Sequence, residues 1–437
     1  MRDGPMSGPM KRRTLLAAAV LGTALASPLP SFAGANTAKD QDRVPFTAGE
    51  IAAARPAGLR DPVRIPGDDP KAFQALIEAA PAAGDPWLVL SGGGEDGAFG
   101  AGLLAGWSAA GNRPAFGVIT GVSTGALIAP FAFIGQAGDA ALREAYTEVS
   151  ASDVFEFGGT DDALTDTWPL KRRIERAVTP RLMQAVAAEH ARGRRLLVAT
   201  TEIDTGRPVL WDMGAIAAAS ARNAGRPDKS PAKSPDRALD LFRAIVLASA
   251  AVPGVFPPVA IESSVPDART GRERAIQELH ADGGTTAPFY LAPKAAQIAA
   301  VARRPAAGLR IPAHTVYLVV NNSLAPDFAM AGRSVLSVLG RSLSAAIRAQ
   351  TEDALALAGA FARQQDLDLK VARIDGRFGK TSSAPFDQRY MQALFAHAER
   401  LGREGTAFAE PDGADDVPTG SAKSPALPDA PKTLAVR

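Results

Sequence analysis

The stretch WLVLSGGGEDGAFGAGLL, residues Trp87–Leu104, joins an apolar strand-like run, a glycine-rich turn and the start of a helical pattern. Gly92, Gly94 and Gly97 match the spacing G-x-G-x-x-G, which binds dinucleotide pyrophosphate at a helix N-terminus. Consecutive backbone amides of this kind can equally hold the oxyanion that forms during acyl transfer. The stretch therefore predicts a strand–loop–helix anion site and leaves a dehydrogenase and an ester hydrolase as alternatives.

The residues around this loop disfavour a dinucleotide. A dinucleotide site places an acid about 20 residues beyond the glycines to bind the ribose. Here the next acid after the loop is Asp139, well past the following helix start. Glu95 and Asp96 in the loop would also repel a pyrophosphate. The acyl-transfer interpretation needs only the amides.

The chain contains five short apolar runs, the first of them at the start of this stretch, separated by helical patterns. The helical stretches include residues 180–192 and 334–364. Near-continuous apolar runs of this length indicate strands covered on both faces, so the alternation predicts an α/β layered domain with a largely parallel sheet. The runs are WLVLS (87–91), FGVIT (116–120), RRLLVATTEI (194–203), VYLVVN (316–321) and LDLKVARI (367–374).

The composition excludes several classes of function. The 437 residues carry a net charge of +2, which gives no electrostatic basis for nucleic-acid binding. The absence of cysteine excludes disulfides, thiolate catalysis and cysteine zinc sites. No cluster of metal ligands is recognisable, so neither a metal nor another cofactor is expected.

The N-terminal segment has the layout of a secretory signal. Basic residues Lys11–Arg13 precede an apolar run, Leu15–Ala26, and small residues end it at Ala33. We predict a signal peptide over residues 1–33 and an exported protein, periplasmic or secreted. Arg12-Arg13 is compatible with twin-arginine export, and an uncleaved anchor remains the alternative.

The remaining chain divides by composition. Residues 34–84 form a leader, packed on the main domain or partly disordered, with one helix near 71–80. Residues 85–400 form the main domain, and the Lys-Ser-Pro-rich segment 221–240 is predicted to be a mobile loop within it. Residues 401–437 are rich in Pro, Asp, Ala and Ser, which predicts a disordered tail.

A candidate nucleophile follows the second apolar run. Gly121-Val122-Ser123-Thr124-Gly125 is a G-x-S-x-G between a strand and an apolar helical stretch. This is the context of a nucleophile elbow, whose sharp turn exposes the serine hydroxyl and leaves little room for flanking Cβ atoms. A plain glycine-rich turn is the alternative.

A serine nucleophile needs a base. His190 and His397 fall in helical patterns, whereas His314 precedes a strand and leaves a triad open. His280 is close to a further candidate, Asp282, which Gly283 and Gly284 follow. An Asp-Gly pair is common in ordinary turns, so this motif alone carries little weight.

Five segments taken together resemble the patatin-like phospholipases. In chain order they are Gly92–Gly97, Gly121–Gly125, Leu196–Gly214, Ala244–Val259 and Asp282–Gly284, within a resemblance that covers about residues 85–400. The resemblance implies a three-layer α/β/α sandwich with a largely parallel central sheet. It also implies a Ser–Asp dyad in place of a triad.

By that resemblance Ser123 is the nucleophile and Asp282 the general base. The backbone amides of Gly92, Gly93 and Gly94 would form the oxyanion hole. The other glycines of the motifs are Gly97, Gly121, Gly125, Gly283 and Gly284.

One residue departs from the family pattern. The family commonly has Arg or Lys before the last glycine of the first motif, and Asp96 stands there in this chain. A carboxyl group in place of a cation changes the electrostatics expected of the oxyanion hole.

The resemblance implies hydrolysis of fatty acyl esters of phospholipids or lysophospholipids through an acyl-enzyme, as part of lipid catabolism. A broad carboxylesterase or thioesterase, and a non-catalytic lipid-binding protein of the same fold, are the alternatives. The expected partner is a lipid or acyl-ester substrate, which allows transient contact with a membrane surface. The sequence does not determine the oligomeric state.

Overall fold

A computed structural model describes residues 43–59, 62–160, 162–223, 236–267, 270–304, 308–325, 330–333 and 335–410. The elements described below all belong to one compact unit that begins at Pro45. The predicted signal peptide, residues 1–33, lies outside the described residues. So do residues 224–235 of the predicted mobile loop and 411–437 of the predicted tail.

The described residues contain twelve strands, ten in one sheet and two in a separate hairpin, β5–β6. The strands are β1 (Arg55–Pro56), β2 (Arg64–Pro66), β3 (Trp87–Leu90), β4 (Val118–Gly121), β5 (Glu156–Thr160), β6 (Ala163–Asp166), β7 (Arg195–Glu202), β8 (Arg207–Asp212), β9 (Val259–Pro266), β10 (Glu273–Asp282), β11 (Thr315–Ser323) and β12 (Asp368–Ile374).

The centre of the sheet is parallel. Its order is β7-β4-β3-β11-β12, and these are the five strands predicted from the apolar runs. Antiparallel strands extend it: β8 and β10 pair with β7, β9 with β10, β1 with β9, and β2 with β8. The predicted α/β fold with a parallel centre is confirmed.

Helices cover both faces of the sheet. They are α1 (Ala48–Ala52), α2 (Pro70–Glu78), α3 (Gly97–Ala109), α4 (Thr124–Phe133), α5 (Asp139–Thr147), α6 (Trp168–Ala177), α7 (Pro180–Ala191), α8 (Met213–Asn223), α9 (Arg237–Ser249), α10 (Lys294–Val301), α11 (Val335–Gln365) and α12 (Gln388–Glu404). The predicted helices over 180–192 and 334–364 correspond to α7 and α11. Within the described ranges, no helix is both long and apolar enough to span a bilayer.

Side chains along each strand point alternately to the two faces of the sheet, and the core accordingly has two halves, one on each face. On β3, Leu88 and Leu90 pack in the half that contains α3, α4, α5 and α12. Trp87 and Val89 pack in the other half, with α2, α10 and α11. Alternate side chains of a strand point to opposite faces, so a fully apolar run such as β3 fits only a sheet covered on both sides. The three-layer sandwich follows from this pattern.

The structure adds detail at both ends of the main domain. In the predicted leader, β2 joins the sheet, and the helix expected near 71–80 is α2, which Asp69 caps through the amides of Lys71 and Ala72. At the other end, α12 continues to Glu404 and Ala409 pairs with Val371. The chain is thus ordered for about ten residues beyond the predicted start of the tail at residue 401.

Candidate active site

Ser123 lies in the turn between the parallel strand β4 and helix α4. Its backbone has φ 54° and ψ −123°, a strained conformation for a residue with a side chain. A Cβ on Gly121 would lie 2.5 Å from the carbonyl oxygen of Gly125, and one on Gly125 would collide with the carbonyls of Leu90 and Ser91. The turn therefore needs both glycines, and its geometry matches a nucleophile elbow.

A buried serine holds the backbone of this turn. The amide of Ser123 donates to Oγ of Ser249 at 3.0 Å, and that hydroxyl donates to the carbonyl of Ala199 at 2.7 Å. Ser249 is fully buried at the end of α9. Sequence reasoning placed it in a family-like segment but gave it no role, because a single serine carries no local signal of such a contact.

Sheet pairing brings Asp282 to the same place. Along one edge of β7, residues 195–198 pair with β4 and residues 200–202 pair with the end of β10. Because β8 occupies the opposite edge of β7, β10 must end where β4 ends. Asp282 is the last residue of β10, and its carboxyl group lies close enough to the Ser123 hydroxyl for the serine to lower its pKa.

The surroundings of Asp282 fix its carboxyl group. Oδ1 accepts a hydrogen bond from the amide of Gly284 at 2.7 Å, and the main-chain carbonyl accepts from Thr201 Oγ1 at 3.0 Å. A Cβ on Gly283 would collide with the carbonyl of Ala199, so this turn packs directly on β7. The first glycine of the Asp-Gly-Gly motif is thus required by close packing at the site.

Burial changes the acidity of Asp282, which is 5% exposed. Loss of hydration raises the pKa of its carboxyl group to about 7, and the hydrogen bonds from Ser123 and Gly284 offset only part of that rise. A base with a pKa near the working pH is well suited to accept and return a proton.

The glycine loop lies against Ser123, but its three amides are not equivalent. A Cβ on Gly92 would lie 3.1 Å from that of Ser123. The amide of Gly92 donates to the carbonyl of Pro288 at 2.9 Å, so it is already engaged. The expectation that Gly92 supplies an oxyanion donor therefore disagrees with this hydrogen bond. Among the described residues, none accepts a hydrogen bond from the amide of Gly93 or Gly94.

Two asparagines at the end of β11 hold the loop. Nδ2 of Asn321 donates to the carbonyl of Ser91 at 2.9 Å, and its Oδ1 accepts from the amide of Gly100 at 3.0 Å. Nδ2 of Asn322 donates to the carbonyl of Gly92 at 3.2 Å. Any Cβ on Gly93 would collide with the carbonyl of Asn321. Sequence reasoning assigned no role to either asparagine, because an apolar strand gives no sign that the residues at its end contact a distant loop.

None of the four histidines completes a triad in this structure. His314 is exposed just before β11, at the N-terminal ends of the parallel strands. Asn321 and Ser123 lie at the opposite, C-terminal ends. Nδ1 of the buried His280 lies 3.0 Å from Thr200 Oγ1, and its Nε2 lies 3.5 Å from Glu278. The remaining two, His190 and His397, lie on α7 and α12.

Ser123 and Asp282 open into a cavity of about 1740 Å³. Pockets for drug-sized ligands have volumes of about 300–1,000 Å³, so this one is large. The three glycines of the loop and Asp96 lie on its wall beside Ser123. Apolar side chains form much of the rest: Leu127, Phe131, Val149, Leu170, Ile174, Val246, Phe256 and Phe386.

Part of the chain is similar in sequence to a known protein family. The family model for patatin-like phospholipases matches residues 88–293, which include all five segments that carried the resemblance. The crystal structure of VipD from Legionella pneumophila aligns with a TM-score of 0.32 and 10% identity over 74% of this chain and 67% of that one. No curated protein matches the chain by sequence. Residues 88–293 thus match the patatin-like phospholipase family, whose members are generally lipid acyl hydrolases.

Proposed function

We propose that the protein is a serine acyl hydrolase that cleaves fatty acyl esters of phospholipids or lysophospholipids through an acyl-enzyme. The observation that carries the proposal is that Ser123 and Asp282 lie close together at the wall of a large, mostly apolar cavity. The proposed pair needs no third member, because the carboxyl group itself lies beside the hydroxyl.

In the acylation step, Oγ of Ser123 attacks the ester carbonyl and Asp282 accepts the hydroxyl proton. The negative charge that develops on the carbonyl oxygen is stabilised by the amides of Gly93 and Gly94. Loss of one donor of this kind costs about 3–4 kcal/mol of transition-state stabilisation. Asp282 then returns the proton to the departing alcohol, which leaves the acyl group on Ser123.

In the deacylation step, Asp282 accepts a proton from water, and the resulting hydroxide attacks the acyl-enzyme. Release of Ser123 Oγ takes the proton back and regenerates the pair. Both steps need ionised Asp282, so the rate should fall as pH decreases through the raised pKa of about 7.

The cavity supports an acyl chain as the recognised part of the substrate. Much of its wall is apolar, which favours methylene groups over a polar acyl substituent. Its volume exceeds what a short acyl ester fills, which favours a long chain.

The test is fatty-acid release from a panel of phospholipids, lysophospholipids, glycerides, thioesters and short esters. We expect long-chain phospholipid or lysophospholipid to be turned over with the highest kcat/KM. Equal turnover of short esters and thioesters would indicate a broad esterase. No turnover of any substrate would indicate a non-catalytic lipid-binding protein.

The matched control is Ser123→Ala, which removes only the attacking oxygen. We expect a folded variant without ester turnover and without labelling by a fluorophosphonate that modifies reactive serines. Turnover like that of the wild type by this variant would refute the proposed mechanism.

A further inference from the structure

The distal end of the glycine loop is attached to the first turn of α12 through two acids. Oδ1 of Asp96 accepts a hydrogen bond from the Tyr390 hydroxyl at 2.6 Å. Oε2 of the neighbouring Glu95 accepts one from the amide of Asp387, the N-cap residue of α12, at 3.2 Å. Both loop acids therefore act as hydrogen-bond acceptors from α12.

Helix α12 is held closely against α3, because glycines let the two helix backbones come into direct contact. A Cβ on Gly102 would collide with the carbonyl of Phe395, and one on Gly106 with that of Glu399. From the other side, a Cβ on Gly402 would collide with the carbonyl of Leu103. Since α3 begins at the residue after Asp96, the loop's end and its support form one packed unit.

The two amides assigned to the oxyanion lie between this attachment and the one at Asn321 and Asn322. Gly94 has a φ of 58° and is exposed, and no side chain of its own holds it in place. The positions of Gly93 and Gly94 relative to Ser123 must therefore depend on both ends of the loop.

We propose that Asp96 and Tyr390 are a positioning pair that holds the oxyanion loop through a hydrogen bond, in the place where the family commonly has a cation. The inference rests on the proposed function. It assigns Asp96 the role of acceptor, and it predicts that the neutral form of its carboxyl group serves catalysis better than the ionised form.

The groups around Asp96 support a neutral carboxyl. Glu95 in the loop and Tyr390 and Asp387 on α12 face this region, and α3 and β11, which also pack against the loop, contain no charged residue. Burial raises the pKa of Asp96 to about 7; the Tyr390 hydrogen bond lowers it and the nearby Glu95 raises it. Above that pH a carboxylate would oppose the developing oxyanion.

The first measurement compares kcat and KM on a soluble short ester. Tyr390→Phe and Asp96→Ala should each lower kcat by about 10- to 100-fold, with little change in KM, because misplaced amides affect the transition state. The double variant should be no worse than either single one. Tyr317→Phe makes the same chemical change in the aromatic cluster with Trp107 and Phe408, away from the loop, and should keep its activity.

The second measurement uses Asp96→Asn, which keeps an oxygen acceptor for Tyr390 but cannot ionise. It should restore most of the kcat that Asp96→Ala loses. Its kcat relative to wild type should rise about threefold or more between pH 6 and pH 8.5, because only the wild type gains a repelling charge. Titration of Asp282 affects both proteins and cancels in this ratio.

Wild-type kcat in Tyr390→Phe, or a flat ratio for Asp96→Asn across this pH range, would overturn the inference. If Tyr390→Phe fails to fold, the Asp96→Asn ratio still decides. Failure of the proposed function is separate, since it would appear as ester turnover by Ser123→Ala or as an inactive wild type.

Discussion

Strand β10 carries two buried carboxyl groups, Glu278 and Asp282, that differ sharply in acidity. They are four residues apart and so point to the same side of the strand. Both are removed from solvent, at 0% and 5% exposure. Yet the pKa of Glu278 is lowered to about 2, and that of Asp282 is raised to about 7.

The neighbours of the two groups explain the difference. Burial raises the pKa of Glu278, but two neighbours together lower it by more than burial raises it. They are His280, at 3.5 Å, and the Arg64 guanidinium, at 2.5 Å. Asp282 has only a hydroxyl and an amide to bond, so burial dominates. The ionised Glu278 links β10 to β2 through Arg64, whereas the weakly acidic Asp282 suits the proposed role of a base.

The largest effect on ester turnover should come from replacing the acid Asp282 by the corresponding amide. Asp282→Asn should lower ester turnover at least about 10³-fold, because the amide cannot accept the proton of Ser123. The variant should fold, since the Gly284 amide can still donate to the remaining oxygen. Fatty-acid release and thermal unfolding measured together would check this. Turnover within tenfold of wild type would mean that another group is the base.

At the other carboxyl group the loss should be one of stability. Arg64→Met removes the cation and leaves the charge of Glu278 buried, which should cost about 3–5 kcal/mol of unfolding free energy. Denaturant unfolding would measure this loss. The activity per folded molecule should stay close to wild type, because Arg64 contacts neither Ser123 nor the cavity. An unchanged unfolding midpoint would show that Arg64 does not compensate Glu278.

The pH dependence of stability sharpens the comparison further. Asp282 has a higher pKa folded, about 7, than unfolded, 3.8, so the folded state binds more protons between these values. Stability should therefore fall as pH rises from 4 to 7, by up to about 4 kcal/mol from this group. Glu278 acts oppositely, and its contribution is lost as pH falls from 4.5 toward 2.

Thermal unfolding of wild type and Asp282→Asn at pH 5 and pH 8 isolates this contribution. The unfolding temperature of the variant relative to that of the wild type should be higher at pH 8 than at pH 5. A difference that does not depend on pH would show that Asp282 ionises in the folded protein as easily as in the unfolded one.

The smallest effect is expected at His314. It is exposed at the opposite end of the sheet from Ser123, so His314→Ala should keep ester turnover within about twofold of wild type. Steady-state kinetics on the best ester substrate would measure this. A folded but inactive variant would favour a triad over the Ser123–Asp282 pair.

The sequence alone predicted the parallel centre of the sheet, because strands buried on both faces are continuous apolar runs. It did not predict β9 or β10, whose residues alternate between buried and exposed and include many charges. The elbow at Ser123 had a local signature. Asp282 had only that of a turn, so its role depended on the resemblance.

Other contacts at the site have no signature in the local sequence. Ser249, Asn321 and Tyr390 act across large sequence separations, and their roles follow from the packing of whole elements. The engagement of the Gly92 amide depends on where Pro288 lies. Such roles appear only once the fold has set the distances.

The ion pair between β2 and β10 also bears on where an autonomous folding unit begins. A fragment starting at residue 85, the predicted edge of the main domain, would lack Arg64 and leave Glu278 an uncompensated charge. It would also expose the edge of β8 that β2 covers. The minimal piece of this chain that can be handled as an independent protein therefore begins well upstream of the family match, near Pro45.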